Sequence, residues 1–207
     1  MKNIPSLEQA EAYVREAEQM NPGPWVAHSR YVAQAASAIA RRCPPMNADV
    51  AYTLGLLHDI GRREGVTAQH HIYAGYVFML EQGWPDVARV CLTHSFSART
   101  PAAKSGSWDC NEQETRVVDE FIQNTEFDDY DKLIILCDAI STSTGYWLME
   151  KRMVDVVIRY GAAFLNEYTP AKWKGYLDIQ KEFEQRMGCS IYSLLDGVME
   201  NTFLFKN

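Results

Sequence analysis

Residues 55–63 read GLLHDIGRR and place His58 and Asp59 side by side at the end of an apolar helical run. Residues 133–141, LIILCDAIS, have a similar character, because Asp138 interrupts an apolar run. A buried carboxylate without a partner is costly or changes its protonation state. No lysine or arginine lies within one helical turn of Asp138 on its C-terminal side, so we expect a cation from elsewhere to meet it.

Four of the five histidines are predicted to face inward on four different helices. Residues spaced by three or four positions share a helical face. The apolar neighbours on these faces are Val32 and Ala35 for His28, Leu54 for His58, Phe78 and Met79 for His71, and Val90 and Cys91 for His94. A lone buried histidine is usually a hydrogen-bonded core residue. A set of imidazoles and carboxylates from several helices instead predicts a metal site.

The hydrophobic pattern predicts an all-α protein of roughly nine to ten helices. The first helix follows a Ser6–Gln9 capping box and ends at Asn21, and a later one runs from an Asn47 cap to Gly61 as its C′ residue. The other predicted helices cover about 24–42, 68–82, 85–95, 112–124, 129–145, 149–160, 170–187 and 190–204. Residues 95–111 show no periodicity, and a loop of this length is more often functional than a mere surface insertion.

Composition favours one globular domain over residues 1–207. Hydrophobic residues make up 47% of the chain, which excludes disorder, and the net charge of −7 argues against a nucleic-acid polymer as partner. The N-terminus has no secretory apolar region, and no apolar stretch reaches the roughly 18 residues that span a bilayer. With five scattered cysteines and no CxxC pair, the chain is expected to be cytoplasmic, with no membrane partner.

The order of these residues resembles the HD-domain metal-dependent phosphohydrolases of the HDIG type, in particular the small stand-alone members. The matching elements are HSRYV from His28, the His58–Asp59 pair, His71 four residues before Gly75, VARVCLTH ending at His94, and Asp138. The resemblance implies a single-domain helical bundle of the HD-domain type. Its core would span about 24–160, followed by a C-terminal helical extension over 161–207.

The resemblance also implies a binuclear centre of divalent ions. His28, His58, Asp59 and Asp138 would hold the first metal, and His71 and His94 the second, with Asp59 bridging the two. Iron or manganese is expected, and magnesium, cobalt, nickel and zinc are alternatives. His70 could replace His71, but only His71 has the glycine four residues on.

The implied function is a metal-dependent phosphohydrolase acting on a nucleotide or other small phosphoester through a metal-activated hydroxide. A di-iron oxygenase of the HD superfamily and a non-catalytic, metal-bearing sensor are the alternatives. Gly61-Arg62 stand where guanosine-tetraphosphate hydrolases carry acidic residues, and no GYP follows the HD pair, so those branches are disfavoured.

Cationic residues near these motifs are candidates for binding the small phosphorylated substrate: Arg30, Arg62, Arg63, Arg99 and Lys104. Asp59 and Arg62 are the candidate catalytic residues. Trp108 is predicted either to stack on a base or to anchor its own loop. Arg152, Asp155 and Arg159 are read as a solvated charged face. The aromatic residues of the C-terminal third, such as Trp173 and Tyr176, are expected to pack helices, with a homodimer face as the alternative.

Overall fold

Ten α-helices account for most of residues 2–104, 106–161 and 165–203, which a computed structural model of the protein describes. They are α1 (Leu7–Met20), α2 (Pro24–Ala40), α3 (Ala48–Leu57), α4 (His70–Glu81), α5 (Pro85–Thr93), α6 (Glu112–Asn124), α7 (Asp129–Ile140), α8 (Met149–Tyr160), α9 (Thr169–Met187) and α10 (Val198–Phe203). Short 3₁₀ helices lie at Ile60–Glu64, Pro101–Ala103 and Ile191–Leu194. The predicted all-α class is confirmed. In the described part of the chain, no helix is both long and apolar enough to cross a membrane.

A two-stranded hairpin follows α7, where the sequence pattern predicted a continuous helix to residue 145. Strand β1 (Ser141–Thr142) pairs antiparallel with β2 (Gly145–Tyr146), and Ser141 lies opposite Tyr146. The Thr142 hydroxyl donates to the Gly145 carbonyl at 2.9 Å, which closes the turn. Gly145 has φ 136°, a conformation that other residues rarely adopt. The helix prediction was wrong here because threonine and glycine favour this local turn.

Two further helix boundaries differ from the prediction. The helix that contains Leu54 ends at Leu57, before the His58–Asp59 pair. The predicted helix over 190–204 is divided into a 3₁₀ turn and α10, with Gly197 at φ 72° between them. The predicted caps are confirmed: Ser6 and Gln9 form a capping box, and the Asn47 side chain accepts the backbone N–H groups of Asp49 and Val50.

Helix α7 lies at the centre of the core, in contact with α2, α3, α5, α8 and α9. Its residues from Leu133 to Cys137 are fully buried, as their apolar run predicts. Helices α2 and α3 approach closely, because a Cβ at Gly55 would stand only 2.8 Å from the Ala33 Cα. This packing brings the C-terminal ends of α3, α5 and α7 together beside the start of α4, and each of those ends carries a histidine or an aspartate.

Gly61 lets the 3₁₀ helix at Ile60–Glu64 lie directly against α4. A Cβ at Gly61 would stand 2.0 Å from the His71 carbonyl oxygen and 2.3 Å from the Gly75 nitrogen. Gly75 in turn faces Cys91 and the Gly61 nitrogen. Gly61 is therefore a close-contact residue inside a 3₁₀ helix and not the helix-ending C′ residue that the pattern predicted.

The segment 95–111 is tied to the fold at several points. The Asp109 carboxylate accepts the backbone N–H groups of Ala68, Gln69 and His70 at 2.8, 2.6 and 2.7 Å and so caps the start of α4. The Trp108 indole donates to the Thr115 hydroxyl at 2.8 Å, so this tryptophan is a local anchor. The loop thus supports the helix that carries His71.

We expect Asp109→Ala to destabilise the protein by about 1–2 kcal/mol, the usual cost of losing an N-terminal helix cap. Burial alone would raise the pKa of Asp109, but the three backbone N–H groups lower it. The stabilisation is therefore present at neutral pH and is lost as the pH falls through the lowered pKa. Thermal unfolding followed from pH 7 downward through the acid range measures this, with Asp109→Asn, which keeps an acceptor, as the control. A loss that stays the same down to the pH at which the carboxyl groups of the protein are protonated would contradict the capping role.

Candidate metal centre

Six polar side chains from five segments meet in the interior. His28 lies in α2, His58 directly after α3, Asp59 next to it, His71 in the first turn of α4, His94 directly after α5, and Asp138 in the last turn of α7. All but His58 line a cavity of about 670 Å³, and His58 is buried behind them. The structure therefore brings together the six residues predicted as metal ligands. It leaves His70 outside the cavity lining, near Glu64 and Glu114.

One group of ligand atoms surrounds Asp138. Its Oδ1 lies 2.9 Å from His28 Nε2 and 3.8 Å from His58 Nε2. The three donor atoms all lie within 4.8 Å of one another. Ligands bound to one ion at about 2.0–2.2 Å stand roughly 3–3.5 Å apart, so these separations suit a shared ion.

A second group surrounds Asp59. Its Oδ1 lies 3.1 Å from His71 Nε2 and 3.6 Å from His94 Nε2, while its Oδ2 lies 3.9 Å from His58 Nε2. His58, Asp59 and His94 also lie mutually within 4.8 Å. Asp59 therefore has imidazoles on both of its oxygens, and His58 belongs to both groups.

Backbone carbonyls hold three of the histidine rings in one orientation. The Nδ1 atoms of His58, His71 and His94 lie 2.7, 2.7 and 3.1 Å from the carbonyl oxygens of Gly55, Ala68 and Val90. Because a carbonyl only accepts, each Nδ1–H donates, and the Nε2 lone pair of the neutral ring is directed to the cluster. This is the tautomer in which second-shell contacts prepare histidine to bind a metal.

The protonation states of the cluster also suit a metal. Burial lowers the pKa of His94 to about 4, and burial also lowers the pKa of His58 and of His71. Burial alone would raise the pKa of both carboxyl groups. Instead, Arg62 holds the pKa of Asp59 well below its usual value, and the His28 hydrogen bond does the same for Asp138. Neutral imidazoles and ionised carboxylates are the forms that coordinate metal ions.

The orphaned oxygen of Asp59 is the clearest sign that the cluster accommodates cations. Asp59 Oδ1 is buried and has no hydrogen-bond partner among the described residues. The atoms nearest to it include Nε2 of His71 and of His94, whose Nδ1–H groups already donate elsewhere. Arg62 Nη2 approaches His71 Nε2 at 3.3 Å, but the lone pairs of His94 Nε2 and Asp59 Oδ1 face each other at 3.6 Å, which is unfavourable unless a positive charge lies between them. The residues present therefore fit divalent ions.

Comparison with known proteins agrees with this geometry. The family model of the HD domain matches residues 25–143, more than half of the chain. The chain belongs to the HD domain family. Neither the curated proteins nor the solved structures contain a match to it. HD domains belong to a superfamily of metal-dependent phosphohydrolases whose members bind divalent metals, which confirms the expected family and supports hydrolase chemistry in its general form.

Only one of the five predicted substrate-binding cations of this HD domain protein lines the cavity, and it is Arg62. The other four residues do not line the cavity, because they make contacts elsewhere or lie elsewhere on the protein. Arg30 donates to both oxygens of Glu11, Arg63 pairs with Glu16 and lies over the Phe78 ring, Lys104 pairs with Asp119 and lies over the Trp108 ring, and Arg99 is exposed at φ 53°.

The sequence reasoning missed the outer wall of the cavity. Arg152, Asp155 and Arg159 line it, although they were predicted to form a solvated face. Their spacing of three and four residues does place them on one side of α8. That pattern cannot tell whether this side faces solvent or a cavity. Aromatic residues contribute to the same lining, namely Trp25, Trp147, Trp173 and Tyr176.

Proposed function

We propose that this HD domain protein is a metal-dependent phosphohydrolase that acts on a nucleotide or another small phosphoester. The observation that carries the proposal is the buried Asp59 Oδ1, which has no hydrogen-bond partner among the described residues and faces imidazole nitrogens at the wall of a cavity. Bound cations would stabilise such a cluster. The volume of the cavity falls within the range of about 300–1,000 Å³ that is typical of small-molecule sites.

The proposed ligand set has Asp59 as the shared group. His28, His58, Asp59 and Asp138 would hold the first ion, and His71 and His94 the second, with Asp59 contributing to both. Nitrogen and carboxylate donors suit iron or manganese, and they also accept cobalt, nickel or zinc, while magnesium prefers oxygen donors. Two bound divalent ions would supply Lewis acidity that lowers the pKa of a water and offsets the charge of a phosphoryl group.

Arg62 would orient Asp59 and provide fixed positive charge. Its Nε–H donates to Asp59 Oδ2 at 2.6 Å, which leaves Oδ1 directed to His71 and His94. Its guanidinium also borders the cavity, where it can meet an oxygen of a phosphoryl group. Preorganised cations of this kind stabilise the charge that develops during phosphoryl transfer.

The aromatic residues of the cavity lining favour a nucleotide over other small phosphoesters as the substrate. Trp25, Trp147 and Trp173 all line the cavity, and Trp25 is fixed by its indole N–H, which donates to the Asn21 carbonyl at 2.9 Å. Aromatic side chains bind bases by stacking, with little dependence on base identity. The cavity thus offers a cationic end and an aromatic side to one ligand.

Metal content and turnover, measured on the same preparation, test the proposal. We expect about two ions per chain in protein purified without chelators or a metal-binding tag, as a binuclear centre requires. We also expect phosphate release from at least one member of a panel of nucleotides and small phosphoesters, and loss of that release after chelation. Oxygen consumption without phosphate release would overturn the proposal in favour of a di-iron oxygenase. Bound metal without either activity would indicate a sensor.

A further inference from the structure

The outer wall of the cavity is built by residues that lie beyond the family match. The match ends at residue 143, whereas Arg152, Asp155 and Arg159 come from α8 and Trp173 and Tyr176 from α9. These residues therefore lie outside the matched segment that contains the metal cluster.

Arg152 has a buried hydrogen-bond donor that the protein does not use. Its side chain is 16% exposed, and its Nη1–H donates to Asp155 Oδ2 at 2.9 Å. Its Nε atom is buried and has no hydrogen-bond partner among the described residues. An N–H group that is buried without an acceptor is unfavourable. The Nε–H is closed to a ligand in the cavity, so an anionic oxygen would meet the part of the guanidinium that remains exposed and lines the cavity, as a charge-assisted contact.

Asp155 holds two guanidinium groups at once. Arg159 Nε donates to the same Oδ2 atom at 2.9 Å, so one carboxylate serves both arginines. The three side chains together keep one net positive charge at the cavity wall. The bridging carboxylate also restricts the rotamers of Arg152, which lowers the entropic cost of binding an anion.

Tyr176 connects this wall with the metal cluster. Burial raises the pKa of Tyr176 to about 12, and the charge of Asp138 acts in the same direction, whereas Arg152 lowers it. Asp138, Arg152 and Tyr176 all line the same cavity, and the phenol stays protonated at neutral pH. A single ligand that passes Tyr176 can contact the metal cluster at one end and Arg152 at the other.

We propose that Arg152, positioned by Asp155, binds a second anionic group of the substrate, apart from the phosphoester at the metal cluster. This inference rests on the proposed function for the first anionic group. The second group is an oxyanion, either a carboxylate or a phosphate. Arg152 is thereby a specificity-determining residue that favours substrates with two separated anionic groups.

Calorimetric measurement of the binding affinities of two matched pairs of ligands tests this proposal. Glycerol 3-phosphate and 3-phosphoglycerate differ by a carboxylate, and adenosine 5′-monophosphate and adenosine 3′,5′-bisphosphate differ by a phosphate. In one pair at least, we expect the wild-type protein, with its metal, to bind the ligand with two anionic groups about tenfold or more tightly, as expected for a charge-assisted hydrogen bond. The pair that shows the preference identifies the second group as carboxylate or phosphate.

Arg152→Gln should abolish that preference while metal content stays unchanged. Arg152→Lys keeps the charge without the planar guanidinium and should retain part of the preference. Arg63→Gln is the matched control, because Arg63 pairs with Glu16 and does not line the cavity. The proposal is overturned if the wild type shows no preference in either pair, or if Arg152→Gln retains it. If the proposed function is wrong but this inference is right, the binding preference persists and no phosphate is released.

Discussion

His58→Ala should reduce the metal content from about two ions per chain to nearly none, because His58 belongs to both proposed sites, whereas Asp138→Ala should remove the first ion, because Asp138 belongs to the first site alone. His58 also belongs to the group around Asp59, with His58 Nε2 3.9 Å from Asp59 Oδ2. His94→Ala should cost only one ion, because His94 joins the Asp59 group alone. Elemental analysis of each purified variant measures this, and phosphate release should disappear together with the metal.

His70→Ala is the matched control for these variants. His70 is adjacent to His71 in sequence but lies near Glu64 and Glu114, outside the cavity lining. It should therefore retain full metal content. Chelation should lower the unfolding temperature of the wild type and of this control, but not of His58→Ala, since only a bound ion stabilises the folded state. Full metal content in both His58→Ala and Asp138→Ala would refute the site.

Gly61→Ala should destabilise the protein by about 3 kcal/mol or more, at the upper end of the usual cost of overpacking. The added Cβ would meet backbone atoms, 2.0 Å from the His71 carbonyl oxygen and 2.3 Å from the Gly75 nitrogen. Backbone on both sides cannot rotate away as a side chain would. The 3₁₀ helix at Ile60–Glu64 must then separate from α4, which also separates Asp59 from His71. We expect the unfolding temperature to fall by about 6–12 °C and metal binding to weaken.

Gly83→Ala separates this effect from the general cost of replacing a glycine. Gly83 has φ 81°, and nothing lies near the position of its added Cβ. Its replacement should cost only the strain of a left-handed conformation, about 1–2 kcal/mol, with no loss of metal. If Gly61→Ala costs no more than Gly83→Ala and keeps its metal, the close contact between the 3₁₀ helix and α4 does not support the cluster.

Much of the fold was predictable because its signals are local. A capping residue such as Ser6 or Asn47 acts on backbone groups two or three positions away, and an apolar run such as 133–137 needs burial wherever it lies. The failed boundaries lie where turn formation and tertiary contacts compete with helical periodicity. Residues 141–146 can continue a helix or turn into a hairpin, and the tertiary contacts of Tyr146, whose hydroxyl donates to the Tyr31 carbonyl, favour the hairpin.

The cations of the site were poorly predicted for a different reason. Proximity in sequence to His28 or Gly61 suggested Arg30 and Arg63, yet each pairs with a glutamate of α1. Long flexible side chains reach whichever carboxylate the fold brings near, so sequence spacing says little about their partners. Arg152 was assigned to a solvated face because a helical face with alternating charges is usually solvated.

The sequence by itself determined which residue types this protein must bury, and in which order. Imidazoles and carboxylates on apolar helical faces are costly without a partner, and that cost can be inferred from a few neighbouring positions. Tertiary structure alone decided how these groups meet, because His28 and Asp138 are separated by 110 positions and touch only when α2 packs on α7. It also decided that α8 directs Arg152 into the cavity, since the face that a helix buries depends on what packs against it.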